Sequence, residues 1–327
     1  MGIRVNQEHS HRETAIRDAF GGVGHDVLRP RLWRAPVVFA SPHSGNIYPD
    51  SFRDVSPLPL RDLRRNEDAH VDSLFAHVTE LGAPLLRARF PRCYVDANRA
   101  GDDLPPEWRE SASEVRRSAK TVRSSKIGKP AKARSQGRAN LGLGVVPLII
   151  NERLGIYRHP PSRAEVRARI AALHAPYHAE LARLLEESHR GFGRALLVDC
   201  HSMPGFAAGV RRGGRAVAAE RRADIILGDG HGRTAGAGTV DLLERLFAAR
   251  GYRVGRNRPY AGGHTTLHYG QPDLGREAIQ IEINRDLYLN AVTLAPKPGF
   301  ERLRADLRAI CEELMDAISP DQAEAAQ

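Results

Sequence analysis

The stretch Ala195-Leu-Leu-Val-Asp-Cys-His-Ser-Met-Pro-Gly205 decides the fold, because a short apolar run in it is followed by a polar turn. A run of this kind, closed by Pro and Gly, is typical of a buried strand. The stretch Val37-Val-Phe-Ala-Ser-Pro-His-Ser-Gly45 repeats the pattern, with a second His-Ser pair after its apolar residues. Ligands of open α/β sheets lie beyond the carboxyl ends of the strands, so His43 and His201 are expected to meet at one site. The alternative is that each histidine only caps its own turn.

Further apolar runs alternate with helical patterns along the chain, which predicts a layered α/β fold. The predicted strands are Val37–Ala40, Pro84–Arg87, Tyr94–Val95, Val145–Ile150, Ala195–Asp199, Ile225–Gly228 and Ala278–Ile283. The predicted helices are Asp68–Leu81, Ser162–His189, Thr239–Arg250 and Gly299–Ile318. Pro176 lies inside the second of these helices and is expected to kink or split it.

The composition is that of a globular protein with a large core, since 41% of the 327 residues are hydrophobic and 27% are charged. No linker divides the chain, so we expect a single domain over residues 1–327. No apolar stretch approaches the roughly 20 residues that span a bilayer, and residues 1–30 lack the apolar segment of a secretory signal. Three cysteines without paired spacing indicate a reducing compartment, which makes the cytoplasm the expected location.

The net charge of +10 is concentrated in one tract. Val115–Arg138 contains nine Lys or Arg residues and no acidic residue, and the rest of the chain carries 40 basic and 39 acidic residues. The central part, Ser118–Gln136, is rich in Ser and Lys, which is typical of a solvated and flexible insertion. It has no aromatic residue to stack on bases, so no specific nucleic-acid partner is expected. An arm that binds anionic polymer is the alternative interpretation.

The two histidines need a carboxylate to complete a zinc site, because such sites combine imidazoles, a carboxylate and an open position for water. The segment Arg65-Asn-Glu-Asp-Ala-His-Val-Asp72 offers Glu67 and Asp68 at a predicted helix start. Acidic residues in a first helical turn also favour the helix dipole, so both could be simple helix caps. The metal interpretation is favoured for Asp68.

Two further segments carry groups suited to catalysis. Asp96-Ala-Asn-Arg99 follows a predicted strand, where Arg99 could pair with a carboxylate or stabilise an oxyanion. Glu282 interrupts the apolar strand of Gln280-Ile-Glu-Ile-Asn-Arg285. A carboxylate buried near a metal-activated water is the expected general base. The alternative is a structural ion pair of Glu282 with Arg285 or Arg99.

A Gly-rich segment, Pro259-Tyr-Ala-Gly-Gly-His-Thr-Thr266, is predicted to form a loop over the substrate. His264 and Thr265 are the side chains in it that we expect to contact substrate. The segment lacks the Gly-Lys-Ser/Thr of a phosphate loop.

Taken in order, several segments resemble the N-formylglutamate amidohydrolase family, which is related to zinc carboxypeptidases. They are Ser41-Pro-His-Ser-Gly45, Glu67-Asp-Ala-His-Val-Asp72, Phe90-Pro-Arg-Cys-Tyr-Val-Asp-Ala-Asn-Arg99, Gly142-Leu-Gly-Val-Val-Pro147, Val198-Asp-Cys-His-Ser-Met-Pro204, Leu227-Gly-Asp229, Tyr260-Ala-Gly-Gly263, His268-Tyr-Gly270 and Gln280-Ile-Glu-Ile-Asn-Arg285. The resemblance implies a three-layer α/β/α fold with a mixed sheet, of the phosphorylase/hydrolase-like and zinc carboxypeptidase-like type.

The resemblance also implies roles for individual residues. It implies one Zn²⁺, or another divalent transition metal, held by His43, Asp68 and His201. The carboxypeptidase His-x-x-Glu is absent because Asn46 stands at the Glu position, and Glu67 therefore competes with Asp68 as the second ligand. Glu282 is similar to the glutamate that activates water. The substrate-binding residues are then expected to be Asn98, Arg99, His264, Thr265 and Arg285, with Arg99 also assisting catalysis.

The function implied is hydrolysis of the amide of an N-acyl acidic amino acid, with N-formyl-L-glutamate as the first candidate. The expected partner is therefore a small anionic N-acyl amino acid, and not a membrane. A zinc carboxypeptidase or another N-acyl amino acid deacylase is the alternative, and a non-catalytic protein that binds anionic polymer is the third hypothesis.

Overall fold

The computed structural model describes residues 2–109, 138–150, 154–205, 211–212, 215–216 and 223–319. Two compact units contain them. The first unit comprises residues 1–24, 47–66 and 90–176, and the second comprises residues 25–46, 67–89 and 177–327. The single domain expected over residues 1–327 stays a prediction. In the described ranges, every helix is too short or too polar to traverse a lipid bilayer.

The strands of the described residues are β1 His25–Leu28, β2 Val37–Ser41, β3 Leu85–Ala88, β4 Ile149–Ile150, β5 Leu154–Gly155, β6 Ala195–Met203, β7 Arg211–Arg212, β8 Arg215–Ala216, β9 Ile225–Gly228, β10 Val254–Arg256 and β11 Arg276–Asn284. The α-helices are α1 Gly2–Ala19, α2 Asp50–Val55, α3 Leu60–Leu63, α4 Val71–Phe75, α5 Val78–Leu81, α6 Arg163–Arg169, α7 Ala175–Phe192, α8 Ala237–Ala249, α9 His264–Tyr269 and α10 Gly299–Ile318.

The second unit is built on a seven-stranded sheet with the order β1-β3-β2-β6-β11-β9-β10. Strand β6 is parallel to both of its neighbours, β2 and β11, whereas β11 is antiparallel to β9. Strands β1 and β3 are also antiparallel. The sheet is therefore mixed, which confirms the predicted α/β class.

The two central strands present different chemistry on their two faces, because side chains alternate along a strand. One face carries Val198 and Cys200 of β6 and the isoleucines of β11, which join the main apolar core with residues of α4, α8 and α10. The other face carries Asp199 and His201 of β6. In the parallel register, Gln280 pairs with Asp199 and Glu282 pairs with His201. The polar residues of two neighbouring strands thus line up on one face.

The first unit contains a group of interacting side chains around one buried arginine. Arg169 of α6 lies with its guanidinium carbon 3.9 Å from the ring centre of Tyr94. Its Nε atom is 2.9 Å from a carboxylate oxygen of Glu165, and its Nη1 atom donates a 2.7 Å hydrogen bond to the hydroxyl of Tyr157. Burial raises the pKa of Tyr94 to about 12, so its phenol stays neutral. We call Arg169, Glu165, Tyr94 and Tyr157 the arginine cluster.

Several predicted elements differ in the structure. Tyr94–Val95, predicted as a strand, lies in a turn, and Val145–Ile150 is reduced to the two residues of β4. The helix predicted over Asp68–Leu81 is two short helices, α4 and α5. The loop predicted at His264 is instead helix α9.

The helix predicted over Ser162–His189 is interrupted just before Pro176. A π-helical segment, Ile170–His174, separates α6 from α7. Proline has no N–H to donate to the carbonyl four residues earlier, and a π-bulge is one way in which a helix absorbs such a defect. The predicted split is confirmed here. The basic tract of Val115–Arg138 lies outside the described residues except for Arg138.

Candidate metal centre and active site

His43 and His201 meet as the sequence predicts. His43 follows β2 and His201 lies near the end of β6, and β2 and β6 are adjacent parallel strands. Both side chains are buried, and their ring centres are 4.8 Å apart. Two histidines distant in sequence therefore share one location within the second unit.

Asp68 joins the two imidazoles. Its Oδ2 atom lies 3.0 Å from Nδ1 of His201 and 3.4 Å from Nδ1 of His43. Within the described residues, His43, Asp68 and His201 form the group of His, Cys, Asp or Glu side chains that could hold a metal, with ligand atoms within 4.8 Å of one another. We call these three residues the His–Asp cluster.

The donor set of the His–Asp cluster fits a transition metal. Ligands at 2.0–2.1 Å from a tetrahedral Zn²⁺ lie about 3.4 Å apart, which is close to the two separations from Asp68. Two imidazoles and one carboxylate also match the ligand types that such ions prefer. With neutral imidazoles, the carboxylates of Asp68, Asp199 and Glu282 and the guanidinium of Arg285 give a formal charge of −2, which a divalent cation would cancel.

Asp68 is held in place by groups on its far side. Arg285 donates a 2.8 Å hydrogen bond from Nη2 to Oδ1 of Asp68, and the hydroxyl of Ser202 donates a 3.2 Å hydrogen bond to the same oxygen. The backbone N–H of Asp68 donates to the carbonyl of His43 over 2.9 Å. Oδ1 of Asp68 therefore accepts the hydrogen bonds that hold the side chain in place, while Oδ2 faces the two imidazoles.

The electrostatics of the cluster favour positive charge at its centre. Burial raises the pKa of Asp68, but hydrogen bonds from His201 and His43 and the charge of Arg285 outweigh it and hold that pKa well below its usual range. Burial lowers the pKa of His201, but Asp199 and Asp68 outweigh it and raise that pKa well above its usual value. A site that stabilises a proton in this way also suits a cation.

Glu67, the competing ligand, is buried like Asp68. It is not part of the group of convergent ligand atoms that the described residues form. The geometry thus favours Asp68 as the carboxylate of the site.

Glu282 lies on the polar face of the sheet next to this cluster. Its register partner on β6 is His201, and it is 7% exposed. Gln280 donates a 2.5 Å hydrogen bond from its amide to Oε1 of Glu282. One oxygen of the predicted base is therefore oriented by a neighbour on its own strand.

Asn98 and Arg99 lie in the first unit, where both side chains are largely enclosed. Arg99 donates from Nε to the carbonyl of Leu143 over 3.0 Å, and its Nε atom lies 3.8 Å from a carboxylate oxygen of Asp96. Asp96 also accepts the backbone N–H of Asn98 over 2.9 Å. The segment is thus a well-ordered turn, and its role in substrate binding stays a prediction.

His264 and Thr265 begin helix α9, which packs against β6 and β11. Thr265 is fully buried and His264 is half-buried. The ring of His264 lies 5.5 Å from that of His178 and 5.1 Å from that of His268. The structure thereby places His264 in a group of aromatic rings, and its contact with substrate stays a prediction.

Residues 35–289 match the family model described as N-formylglutamate amidohydrolase, which covers most of the chain. The chain belongs to the N-formylglutamate amidohydrolase family. A crystal structure of N-formylglutamate amidohydrolase from Ralstonia eutropha JMP134 is 32% identical, has a TM-score of 0.74, and covers 90% of this chain and 98% of its own.

Two other relatives support this membership. The N-formylglutamate deformylase of Pseudomonas aeruginosa is 27% identical over 296 residues, covering 90% of this chain and 96% of its own length. The N-formylglutamate deformylase of Pseudomonas putida is 27% identical over 293 residues, covering 89% and 95%. These relatives thus align with about nine tenths of the chain.

Two residues that contact the His–Asp cluster were not predicted from the sequence. Ser202 donates to Asp68, and Asp199 lies 3.0 Å from Nε2 of His201. The spacing of Asp199 and His201 carried a signal, because residues two apart on a strand share a face. Arg285 was expected among the substrate-binding residues, and the structure places its guanidinium on Asp68 and Ser202.

Proposed function

We propose that this chain hydrolyses the amide bond of N-formyl-L-glutamate. Water adds to the formyl carbon, the C–N bond breaks, and formate and L-glutamate result. The convergence of His43, Asp68 and His201 on one buried point carries the proposal, since these residues could hold the metal that such a hydrolysis uses. Membership of the amidohydrolase family and the names of the relatives point to the substrate.

The ligands that we propose for the metal are His43, Asp68 and His201, with Glu67 as the alternative to Asp68. Zn²⁺ is the proposed metal, because imidazole and carboxylate ligands with an open position are typical of catalytic zinc. When bound, it would polarise the amide carbonyl and lower the pKa of a water molecule toward about 7.

Glu282 is the proposed general base. Its carboxylate takes a proton from the attacking water and returns it to the nitrogen of the leaving glutamate. Gln280 donates a hydrogen bond to Oε1, which orients the carboxylate for the proposed proton transfer. Burial near the sheet keeps bulk water from competing for this carboxylate.

The substrate itself is a dianion, so its binding requires donors. We propose Arg99 and Asn98 for a carboxylate of the substrate, because a guanidinium pairs with a carboxylate in a bidentate manner. His264, Thr265 and Arg285 remain proposed contacts, and Arg285 has a second role in holding Asp68.

The first experiment measures zinc by elemental analysis in the wild type and in His43→Ala and His201→Ala. We expect about one zinc per chain in the wild type and a loss in both folded variants. His231→Ala is the matched control, because His231 is exposed and lies outside the cluster. Variants that keep their zinc would contradict the proposed ligands.

The second experiment compares Glu282→Gln with Glu301→Gln, an exposed glutamate of α10. We expect turnover of N-formyl-L-glutamate to fall about 10²–10⁴-fold in the zinc-loaded Glu282 variant, because this is what general base catalysis typically contributes. The control should retain its turnover. Near-normal turnover of zinc-loaded Glu282→Gln would rule out the proposed base.

A panel of substrates separates the proposed activity from its nearest alternatives. Formyl, acetyl and longer acyl groups on glutamate test for a broader deacylase, and dipeptides with a free C-terminus test for a carboxypeptidase. We expect the formyl derivative to have the highest kcat/KM. A preference for dipeptides would assign the same site to peptide hydrolysis.

A further inference from the structure

Asp199 is a buried carboxylate that the proposed mechanism does not use. It lies on β6, is fully buried, and shares the polar face with His201 because the two residues are two apart on one strand. A buried carboxylate is costly unless it is paired, so its position requires an explanation.

The two ring nitrogens of His201 have different carboxylate neighbours. Nδ1 lies 3.0 Å from Oδ2 of Asp68, on the side of the ring that faces the His–Asp cluster. Nε2 lies 3.0 Å from Oδ2 of Asp199, on the other side of the ring. The imidazole of His201 therefore lies between the carboxylates of Asp68 and Asp199.

This arrangement determines which nitrogen can bind a metal. A neutral imidazole has one N–H and one lone pair, and the metal takes the lone pair. Nδ1 of His43 also lies 3.4 Å from Oδ2 of Asp68, so the Nδ1 atoms of both histidines face the same point. The N–H of His201 then belongs on Nε2, where the carboxylate of Asp199 accepts it.

We propose that Asp199 is a positioning residue, which fixes the tautomer and orientation of His201 and increases the basicity of its Nδ1 atom. The inference rests on the proposed metal centre. Metal-ligating histidines commonly donate their second ring N–H to a carboxylate in this way, and loss of such a partner typically weakens metal affinity 10–100-fold.

Asp199→Asn tests the proposal, because asparagine keeps the shape of the side chain and removes its charge. The measurement is the zinc dissociation constant, obtained by competition with a chromophoric chelator. Asp224→Asn is the matched control, since Asp224 precedes β9 of the same sheet, is paired with Arg253, and none of its described contacts is to a histidine. Circular dichroism of all three metal-free proteins checks that they are folded.

We expect Asp199→Asn to weaken zinc binding about 10–100-fold and Asp224→Asn to leave it unchanged. Equal affinity of Asp199→Asn and the wild type would overturn the role of Asp199 while leaving the metal centre intact. A loss beyond about 10⁴-fold would also overturn it, because Asp199 would then act as a ligand. A wild type that binds no zinc would instead contradict the metal centre itself.

A second measurement does not depend on the folding of a variant. Nitrogen-15 NMR of the zinc-loaded wild type distinguishes an Nε2–H from an Nδ1–H tautomer. We expect an Nε2–H signal for His201 that is protected from exchange, because Asp199 accepts that hydrogen in a fully buried position. An Nδ1–H tautomer for His201 would overturn the proposal.

Discussion

The His–Asp cluster and the arginine cluster both contain buried ionisable side chains, yet they are constructed in opposite ways. In the arginine cluster, one cation has a carboxylate, a phenol hydroxyl and an aromatic face as its partners. In the His–Asp cluster, two imidazole nitrogens and a carboxylate oxygen point at one another. The first set matches the donors of one cation to acceptors, and the second brings two imidazole nitrogens that could bind a cation next to a carboxylate.

This difference in construction distinguishes a cluster that stabilises the fold from one that could bind a ligand. Glu165, Tyr157 and Tyr94 are the partners of the Arg169 guanidinium. We therefore expect the arginine cluster to contribute to stability without any ligand. A positive charge, either a proton or a metal ion, is expected to stabilise the His–Asp cluster, because it would lie between the imidazole nitrogens and the carboxylate. Buried charge alone therefore does not indicate a metal site, whereas a convergent set of ligand atoms does.

The largest effect that we expect is on the stability of the arginine cluster. Arg169→Ala should lower the free energy of unfolding by about 3–5 kcal/mol, because it leaves a cavity beside Tyr94 and removes the hydrogen bonds to Glu165 and Tyr157. Urea unfolding with zinc and with a chelator measures this effect, and the loss should be equal in both. The exposed Arg302→Ala serves as the control. A loss that depends on zinc would remove the distinction between the clusters.

The His–Asp cluster should show the converse behaviour. Zinc at about 100 times its dissociation constant should stabilise the wild type by about 2.7 kcal/mol and should not stabilise His43→Ala, because binding to the folded state alone raises its stability. Thermal unfolding with zinc and with a chelator provides the comparison, and the chelator-treated proteins supply the baseline. An equal zinc response in both proteins would mean that His43 is not a ligand.

A smaller effect, on kcat, is expected when the hydrogen bond from Gln280 to Oε1 of Glu282 is removed. Gln280→Leu removes the amide donor, so the carboxylate loses its fixed orientation. We expect kcat to fall about 10-fold, equivalent to about 1.4 kcal/mol, with KM and zinc affinity unchanged. Steady-state kinetics and the zinc competition assay check both parts. A change confined to KM would place Gln280 in substrate binding instead.

The smallest effect concerns His77, a buried histidine that belongs to neither cluster. Burial and the charges of Arg308 and Arg304 lower its pKa to about 4, against the opposing effects of the Leu307 carbonyl and of Glu80. The folded state therefore keeps His77 neutral, while the unfolded chain takes up a proton below its ordinary pKa of about 6.5. Stability is present above that pH and falls between pH 6.5 and 4.

The variant His77→Gln isolates this contribution. Unfolding measured between pH 7 and pH 4 should show a loss that is smaller in the variant by about 1 kcal/mol, after allowance for solvent screening. If both proteins lose the same stability over this range, His77 is not responsible for any of it.

The sheet was largely predictable because its strands are continuous apolar runs. Val37–Ala40 and Ile225–Gly228 were predicted within one residue of their bounds. The short edge strands β1 and β10 were missed, since His25–Leu28 and Val254–Arg256 have no apolar pattern. Tyr94–Val95 was wrong as a strand because its apolar residues pack in a turn.

The candidate site was predictable where a residue type that binds metals stands at the end of a predicted strand, as do His43 and His201. The pairing of Asp199 with His201 depends on side-chain torsions, and that of Arg285 with Asp68 joins residues far apart in the chain. Helix α9 was missed because the two glycines before His264 indicate a loop, although they only precede the helix. Local pattern thus specifies the strand ends, and only the folded chain specifies which polar groups meet there.

The parallel register of β6 and β11 has a consequence for how this protein can vary. Backbone hydrogen bonds keep Glu282 opposite His201, so the spacing between the proposed base and the proposed ligand is set by the pairing of the strands. One residue inserted upstream in either strand would turn its polar side chains into the apolar core. Substitutions that keep the length of β6 and β11 are therefore compatible with this register. An insertion or deletion in either strand before His201 or Glu282 is not.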